Sequence, residues 1–497
     1  MKEILTDRDR KVHRIPALCR GPNCIYSARM SSPARAFRIL PLAVAAAFLF
    51  ACPAPAVPRV AEHVILFIGD GMQMEHEVAA SRYLYGTDLG LSWHGFPVNA
   101  YVATWDVTTY DAYASDAGKA PFDDTGFDPL LGYDPASGRG GAAPFPLSLE
   151  GTAYYFLRAA TDSAAAATAM STGFKTDAGN IAWKRGDPAG GALSTIAEIL
   201  RARRGSAIGV VTTVPFDHAT PACFVSHNVS RGNSLAIADE ITGAVRPDVV
   251  IGGGHPGWFP GYFTADRLAA LKADAGYVVV ERVAGQDGGA SLRAAASALP
   301  EGRKLFGLFG GAASGDFEPP VPRNDPGNPG FATVGENPSL ADMVDAALAV
   351  LDRNPNGFFL MAEEGDIDHS NHANDYAMMI GTMWGLDQAV KAALAFVERP
   401  GDGMTWENTL LVVTADHGNS LMRLSAQNVL GAGALPAQAG GEVTYGTTGH
   451  TNELVTLSAK GAGAALFSDR AGREYPGTAI IDNTDVFLVL EAAGLGN

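Results

Sequence analysis

Short apolar runs alternate with amphipathic helical patterns along most of this chain, and this alternation constrains the fold more than any other feature. Apolar runs of about four to eight residues are typical of buried strands, and strands separated by helices predict a largely parallel sheet covered by helices. We therefore predict an α/β fold. The predicted strands are 64–68, 208–214, 249–251, 358–362, 410–414 and 454–457, and the predicted helices are 195–204, 340–351 and 374–397.

Composition limits the classes of partner. The chain has 497 residues, of which 47% are hydrophobic and 18% charged, so it can bury a sizeable core. Its formal net charge of −17 argues against a basic face that binds a nucleic acid, because an acidic surface repels a phosphate backbone. We expect a small-molecule partner instead.

The first 56 residues are predicted to be an extension and export signal that lies outside the fold. Residues 1–60 carry ten Lys and Arg against three Asp and Glu, a balance of +7 that leaves −24 for the remainder. Arg35 and Arg38 precede an apolar run, 39–51, that has the length of a signal-peptide core and is too short for an ordinary membrane span. A cleaved signal and a lipid anchor on Cys52 both stay open. The chain is thus expected to be periplasmic, secreted or lipid-anchored to the cell envelope.

Residues 57–497 are predicted to form one large domain. Two stretches, 104–150 and 255–335, are rich in Gly and Pro and are interpreted as insertions. Cys223 is the only cysteine of this domain, so it has no partner for an internal disulfide and is expected to be buried and inert. Any metal site here must use histidine and carboxylate ligands.

Acidic residues follow three of the predicted strands. Asp70 comes after the first strand, the segment 363–368 contains four acids after the fourth, and Asp416 follows the fifth. In open α/β sheets the ligand site lies beyond the carboxyl ends of the strands, so these acids can converge. A single such Asp is often only a turn former or a helix cap. Three such motifs, two of them with histidine attached, favour a metal site.

The histidines indicate which metals suit the site. Asp368 and His372 are four residues apart and would share one face of a helix, while Asp416 and His417 are adjacent. His450 precedes another predicted strand. Mixed histidine and carboxylate sets suit zinc, and oxygen sets suit magnesium. Carboxylates that can bridge two ions indicate a multi-metal hydrolase.

Ser163 is the candidate nucleophile. The alanine-rich run that follows it predicts a helix, and a helix N-terminus favours an anion through its unsatisfied N–H groups and its dipole. Taken alone, Ser163 would be interpreted as a simple helix cap. The acidic and histidine motifs favour the nucleophile.

Six short motifs stand out along the chain: Asp70-Gly71-Met72, Thr161-Asp162-Ser163-Ala164, His218-Ala219-Thr220-Pro221-Ala222, Ile367-Asp368-His369, Thr414-Ala415-Asp416-His417-Gly418 and Gly449-His450-Thr451. They occur in the order found in alkaline phosphatases, and the chain resembles that family over residues 62–496. The resemblance implies a three-layer α/β/α sandwich with a mixed, mostly parallel central sheet, and two zinc ions and one magnesium ion at the strand ends.

The resemblance also implies a ligand set for each ion. One zinc would be held by Asp368, His372 and His450, the other by Asp70, Asp416 and His417, and the magnesium by Asp70, Thr220 and a glutamate. Two adjacent glutamates are available for that last position. The family's five-residue step to the Asp of the Ile-Asp-His motif favours Glu363 over Glu364.

The remaining site residues follow from the same resemblance. Ser163 would form a phosphoserine intermediate, and Arg231 would clamp the phosphoryl oxygens, with a surface salt bridge as its alternative role. Asp162, His218 and His369 would lie behind the ligands, and the two histidines would tune the metals and the phosphate affinity. Direct ligation by the two histidines stays open.

The resemblance implies an exported alkaline phosphatase that hydrolyses phosphate monoesters, in a family whose members are often homodimers. A phosphodiesterase of the same superfamily is the nearest alternative, and Arg231 argues against it because a diester has one fewer charged non-bridging oxygen. A sulfatase needs Cys or Ser in a Cys/Ser-x-Pro-x-Arg context, whereas alanines follow Ser163. A non-catalytic protein that binds metal or phosphate at the cell surface is the alternative from another class.

Overall fold

The structure is a computed structural model that describes residues 60–133, 158–401, 403–425, 429–437 and 441–496. The export segment with Cys52 and residues 134–150 of the first predicted insertion lie outside the described residues, so the proposed division of the chain stays a prediction. Across the described ranges, every helix is too short or too polar to cross a membrane.

The described part of the chain is built on a ten-stranded sheet. All neighbouring strands run parallel except Val455–Gly461, which is antiparallel to both of its neighbours. In spatial order the strands are Ile480–Asp482, Val98–Ala103, Val455–Gly461, Thr409–Ala415, His63–Gly69, Phe358–Glu364, Ala207–Pro215, Val249–Gly253, Lys304–Leu308 and Tyr277–Glu281. The central strands are buried along their whole length, which explains why they are continuous apolar runs.

Helices cover both faces of this sheet and complete a three-layer sandwich. One face is covered by Met74–Tyr85, Gly288–Ser297, Leu340–Leu351 and Tyr376–Val397, and the other by Ser163–Thr172, Ile196–Arg204, Ala219–Val225 and Thr484–Leu495. The other described helices are Val107–Asp116, Pro129–Gly132, Ser234–Glu240, Ile241–Val245, Ala265–Ala273, Asp366–His372 and Leu466–Arg470. The α/β/α architecture is therefore confirmed.

The six predicted strands and three predicted helices are confirmed with small shifts at their ends. Ser339 and Thr195 cap their helices, each through a capping box. Cys223 is buried and unpaired, and burial raises the pKa of its thiol to about 12.

The sequence patterns missed four strands of the sheet. Val98–Ala103 is a mostly buried strand interrupted by the exposed Asn99 and the half-buried Tyr101, and Ile480–Asp482 is only three residues long. Tyr277–Glu281 and Lys304–Leu308 lie in the segment 255–335 and build one end of the sheet. Part of the segment 255–335 therefore belongs to the central sheet itself.

Candidate active site

Strand register brings two of the predicted acidic motifs together. Gly69 pairs with Ala415 on one side and with Glu364 on the other. Asp70 and Asp416 are the next residues of their strands, so both carboxylates emerge at the same edge of the sheet. Asp416 Oδ1 accepts a hydrogen bond of 3.0 Å from the backbone N–H of Gly71, which fixes the two turns to each other.

Asp368, His372 and His450 form the first group of candidate metal ligands. His372 Nε2 lies 3.1 Å from one oxygen of Asp368, and His450 Nε2 lies 3.6 Å from the other. The opposite ring nitrogens are anchored by backbone carbonyls: Nδ1 of His372 donates to Thr448 at 2.6 Å, and Nδ1 of His450 donates to Thr161 at 2.8 Å. Both Nε2 atoms therefore face the carboxylate, the usual arrangement for metal-binding histidines.

Asp70, Asp416 and His417 form the second group, and all three are buried. Burial, followed by the charge of Asp416, raises the pKa of Asp70 well above its usual value. Burial also raises the pKa of Asp416 to about 6. His417 Nε2 lies 3.4 Å from Asp70 Oδ1 and 3.3 Å from Asp416 Oδ2. A carboxylate oxygen of Asp70 and one of Asp416 lie within 4.8 Å of each other. Two buried carboxylates at that distance repel each other unless a proton or a cation lies between them.

Asp70 also belongs to a third group, with His218 and Glu363. Thr220, on the helix that follows His218, donates a hydrogen bond of 3.3 Å to Asp70 Oδ2. Burial raises the pKa of Glu363 to about 8. Each glutamate accepts a hydrogen bond from a threonine, Glu363 from Thr212 and Glu364 from Thr213. Only Glu363 lies beside Asp70 in this group. The geometry thus favours Glu363 as the candidate ligand and places His218 close enough to be one.

Ser163 lies at the N-terminus of its helix and is 2% exposed. Its hydroxyl Oγ is 3.1 Å from Nε2 of His417, so it faces the second group. Asp162 caps the helix by accepting from the backbone N–H of Ala165 at 3.0 Å. The same carboxylate accepts a hydrogen bond of 3.1 Å from Arg231. The Asp162 side chain therefore positions both Ser163, the candidate nucleophile, and Arg231, the candidate clamp of the phosphoryl oxygens.

A fourth group, Asp316, Asp366 and His369, was not predicted as a unit. His369 Nδ1 lies 3.1 Å from Asp366 Oδ1 and 3.2 Å from Asp316 Oδ2. Asp366 could have been suspected because it precedes Asp368 by two residues. Asp316 lies about fifty residues earlier, in a stretch without periodicity, and no sequence signal indicated it.

The first three groups fit cations. Asp70 Oδ1 and Asp416 Oδ2 are buried and accept no hydrogen bond from the described residues. Unsatisfied buried carboxylate oxygens are costly, and a bound cation offsets that cost. All three groups contain at least one histidine nitrogen, a donor that suits zinc. The third group is the richest in oxygen, because Thr220 lies beside Asp70 and Glu363, and oxygen donors suit magnesium; its His218 is a nitrogen donor that a pure magnesium site does not need.

The fold and the site together define a class: three-layer α/β proteins with candidate metal ligands and a serine at the carboxyl edge of the sheet. The family profile for alkaline phosphatase matches residues 143–466. Alkaline phosphatase 3 of Bacillus subtilis is 34% identical over 54% of this chain, and the match spans about half, 51%, of that relative. An alkaline phosphatase of Escherichia fergusonii is 32% identical over 67% of this chain and 73% of its own length.

A solved structure agrees with this fold. The crystal structure of the Thermus thermophilus alkaline phosphatase matches with a TM-score of 0.59 at 23% identity, covering 89% of this chain and 93% of that one. The chain belongs to the alkaline phosphatase family.

Proposed function

We propose that this chain is an exported alkaline phosphatase that hydrolyses phosphate monoesters through a phosphoserine intermediate on Ser163. The position of the Ser163 hydroxyl carries the proposal. It is buried at a helix N-terminus, 3.1 Å from the His417 ring, and so faces a group of candidate metal ligands. A cap alone does not require this arrangement, because Asp162 already caps the helix. Homodimer formation and a lipid anchor on Cys52 stay predictions.

Two zinc ions and one magnesium ion are proposed as cofactors. Zinc would be held by Asp368, His372 and His450 and by Asp70, Asp416 and His417, and magnesium by Asp70, Thr220 and Glu363. Zinc supplies Lewis acidity, which lowers the pKa of a coordinated hydroxyl or water and stabilises developing negative charge. The chain supplies the positions of the reacting groups.

The reaction proceeds in two successive displacements at phosphorus. Ser163 Oγ forms a bond to phosphorus while the phosphorus–oxygen bond of the ester breaks, and the alcohol departs with the proton that the serine loses. Water then attacks the phosphoserine, which releases inorganic phosphate and restores the hydroxyl. The Arg231 guanidinium, oriented by Asp162, and the backbone N–H groups of the helix N-terminus stabilise the negative oxygens in both steps.

Turnover of an aryl phosphate monoester and the matching diester by the metal-loaded protein tests this proposal. We expect the monoester to be the better substrate and Ser163→Ala to lower its turnover by at least about 10³-fold, because the covalent route is lost. Ser171→Ala is a matched control, since Ser171 is buried on the same helix and donates to the backbone carbonyl of Thr168. Faster diester turnover would favour the phosphodiesterase, and no turnover of either ester would favour a binding protein.

A further inference from the structure

We propose that the turn formed by Ser420 and Leu421 is a positioning element for the first group of candidate metal ligands. It holds the loop 446–449, which leads directly into His450, and thereby sets the affinity of that group for its cation. The inference rests on the proposed function, because the cation is the zinc ion proposed for this group. Neither residue of the turn was predicted from the sequence to belong to the site.

The backbone of the turn has a conformation that serine and leucine rarely adopt. Ser420 has a φ of +66° and Leu421 a φ of +46°, so both lie in the left-handed region. An L side chain in this region crowds the neighbouring carbonyl oxygen, and the conformation costs free energy. It persists only where the surroundings enforce it, and such strained positions are concentrated at functional sites. Two of them in succession therefore call for a structural cause.

Burial and close packing enforce the turn. Both side chains are fully buried, and Leu421 belongs to an apolar cluster. Gly446 lies so close to it that a Cβ atom at position 446 would be 2.5 Å from Leu421 Cδ2. On the other side, the Ser420 hydroxyl lies 3.3 Å from Nε2 of the buried His76. The turn is thus held between the loop and the protein interior.

The turn presents its backbone to the loop that leads to His450. The carbonyl oxygen of Ser420 accepts hydrogen bonds of 3.0 Å from the N–H of Gly446 and 3.1 Å from that of Thr447. The N–H of Ser420 donates to the carbonyl oxygen of Gly449 at 3.0 Å. One residue therefore holds three positions of the loop. These bonds depend on the directions of the peptide groups that flank Ser420, which its left-handed φ helps to set.

The loop and the residue before the turn reach all three ligands of the first group. His450 follows the loop, and the carbonyl of Thr448 accepts the hydrogen bond of 2.6 Å from Nδ1 of His372. Asn419 precedes the turn, pairs with His450 in a short antiparallel ladder, and donates to Asp368 Oδ1 at 2.6 Å. A displaced turn would move the two rings relative to the carboxylate. Partners that orient metal ligands commonly change metal affinity by 10-fold or more when they are altered.

The zinc affinity of two Ser420 variants, measured on the chelated full chain, tests the inference. Ser420→Thr keeps the hydroxyl but adds a β-branch, which the left-handed region strongly disfavours, so we expect one zinc ion to bind about 10-fold more weakly. Ser420→Gly loses the hydroxyl but adopts the left-handed conformation freely, so both dissociation constants should stay within about 2-fold of the wild-type values. Competition with a chromophoric chelator measures them. His450→Ala, which removes a ligand, identifies the ion of the first group.

The order of the two variants separates positioning by the backbone from a general structural role, because glycine loosens a buried segment more than threonine does. The inference is wrong if Ser420→Gly weakens zinc binding as much as Ser420→Thr, if Ser420→Thr changes neither dissociation constant, or if both ions are weakened equally. Asp187→Thr is the control, since Asp187 is exposed and has a φ of +50° far from these contacts in sequence. It should leave both dissociation constants unchanged.

A second variant acts on the turn from the loop. If Ser420→Thr does not fold, Gly446→Ala must weaken the same zinc ion, because its Cβ atom would displace the Leu421 side chain. Unchanged zinc affinity in a folded Gly446→Ala chain would then overturn the inference. A wild-type chain that binds zinc but hydrolyses no ester refutes the proposed function alone, whereas a wild-type chain that binds no zinc refutes both.

Discussion

Arg231 is held in place by two side chains. Asp162 accepts from one guanidinium nitrogen at 3.1 Å, and the His218 ring lies 3.2 Å from another. The planar fork of an arginine can bind two phosphoryl oxygens at once. Arg231→Ala should therefore lower kcat/KM for a monoester by about 10²-fold, with a smaller loss for a diester. Steady-state kinetics on the two esters measure the ratio.

A surface arginine provides the control for this substitution. Arg185 pairs with Asp124, and both side chains are at least one-third exposed. Arg185→Ala is expected to leave both activities near the wild-type level. Equal losses for the two esters in Arg231→Ala would mean that Arg231 only supports the fold.

The residues that could be predicted from the sequence are those in compact motifs at strand ends. Asp70, Asp416 and His417 follow buried strands directly, and the register of those strands brings them together. Asp316 could not be predicted because its partner His369 is distant in sequence and the intervening loops have no periodic pattern. The choice of Glu363 rests on a motif spacing, and the structure places that side chain beside Asp70.

At the scale of elements, the segment 226–233 carries Arg231 and is anchored by His227. The His227 ring lies 2.8 Å from Glu240 and 3.3 Å from Glu198. Burial would lower the pKa of His227, but hydrogen bonds to Glu198 and Glu240 outweigh it and raise the pKa to about 10. The folded state thus holds the proton more tightly than the unfolded state, so this stabilisation is full below the ordinary pKa of 6.5 and is lost as pH rises to about 10.

His227→Gln should consequently destabilise the protein in a pH-dependent way. We expect the free energy of unfolding to fall by about 2 kcal/mol at pH 6, from lost charge-assisted hydrogen bonds, and the deficit to shrink towards pH 10. Chemical denaturation at several pH values measures it. His255→Gln is the comparison, because His255 has one carboxylate neighbour at 3.3 Å. A deficit that does not change with pH would contradict the proposed charge.

Five of the six predicted strands are buried along their whole length. Phe358–Glu364 and Thr409–Ala415 are buried throughout, and their apolar runs indicate strands without further information. Tyr277–Glu281 is at the end of the sheet and mostly half-buried. Its pairing depends on a partner strand almost thirty residues away, which local pattern does not specify.

At the scale of the whole molecule, the candidate active site concentrates negative charge in a buried region of an already acidic chain. The charges of Asp416, Asp368 and Glu363 each raise the pKa of Asp70, after burial itself. Cations would relieve this repulsion, so metal binding should stabilise the folded state. Chelation should lower the free energy of unfolding by about 4 kcal/mol relative to protein in a metal excess of about 1,000 times Kd.

Thermal and chemical unfolding of chelated and reloaded protein measure this stabilisation. Adding zinc with magnesium should restore the stability. Asp416→Asn should reduce the gain in the free energy of unfolding that metal provides, and should raise the free energy of unfolding of the metal-free protein. The same unfolding curve with and without metal would show that these carboxylates hold no ion.

Trapping of the covalent intermediate tests the central claim most directly. The metal-loaded protein is mixed with an aryl phosphate monoester, quenched in acid, digested and analysed by mass spectrometry. We predict one phosphoryl group on the peptide that contains Ser163, and none in Ser163→Ala. Rapid turnover without a phosphorylated peptide, or a phosphoryl group on another residue, would contradict the assignment of Ser163 as the nucleophile.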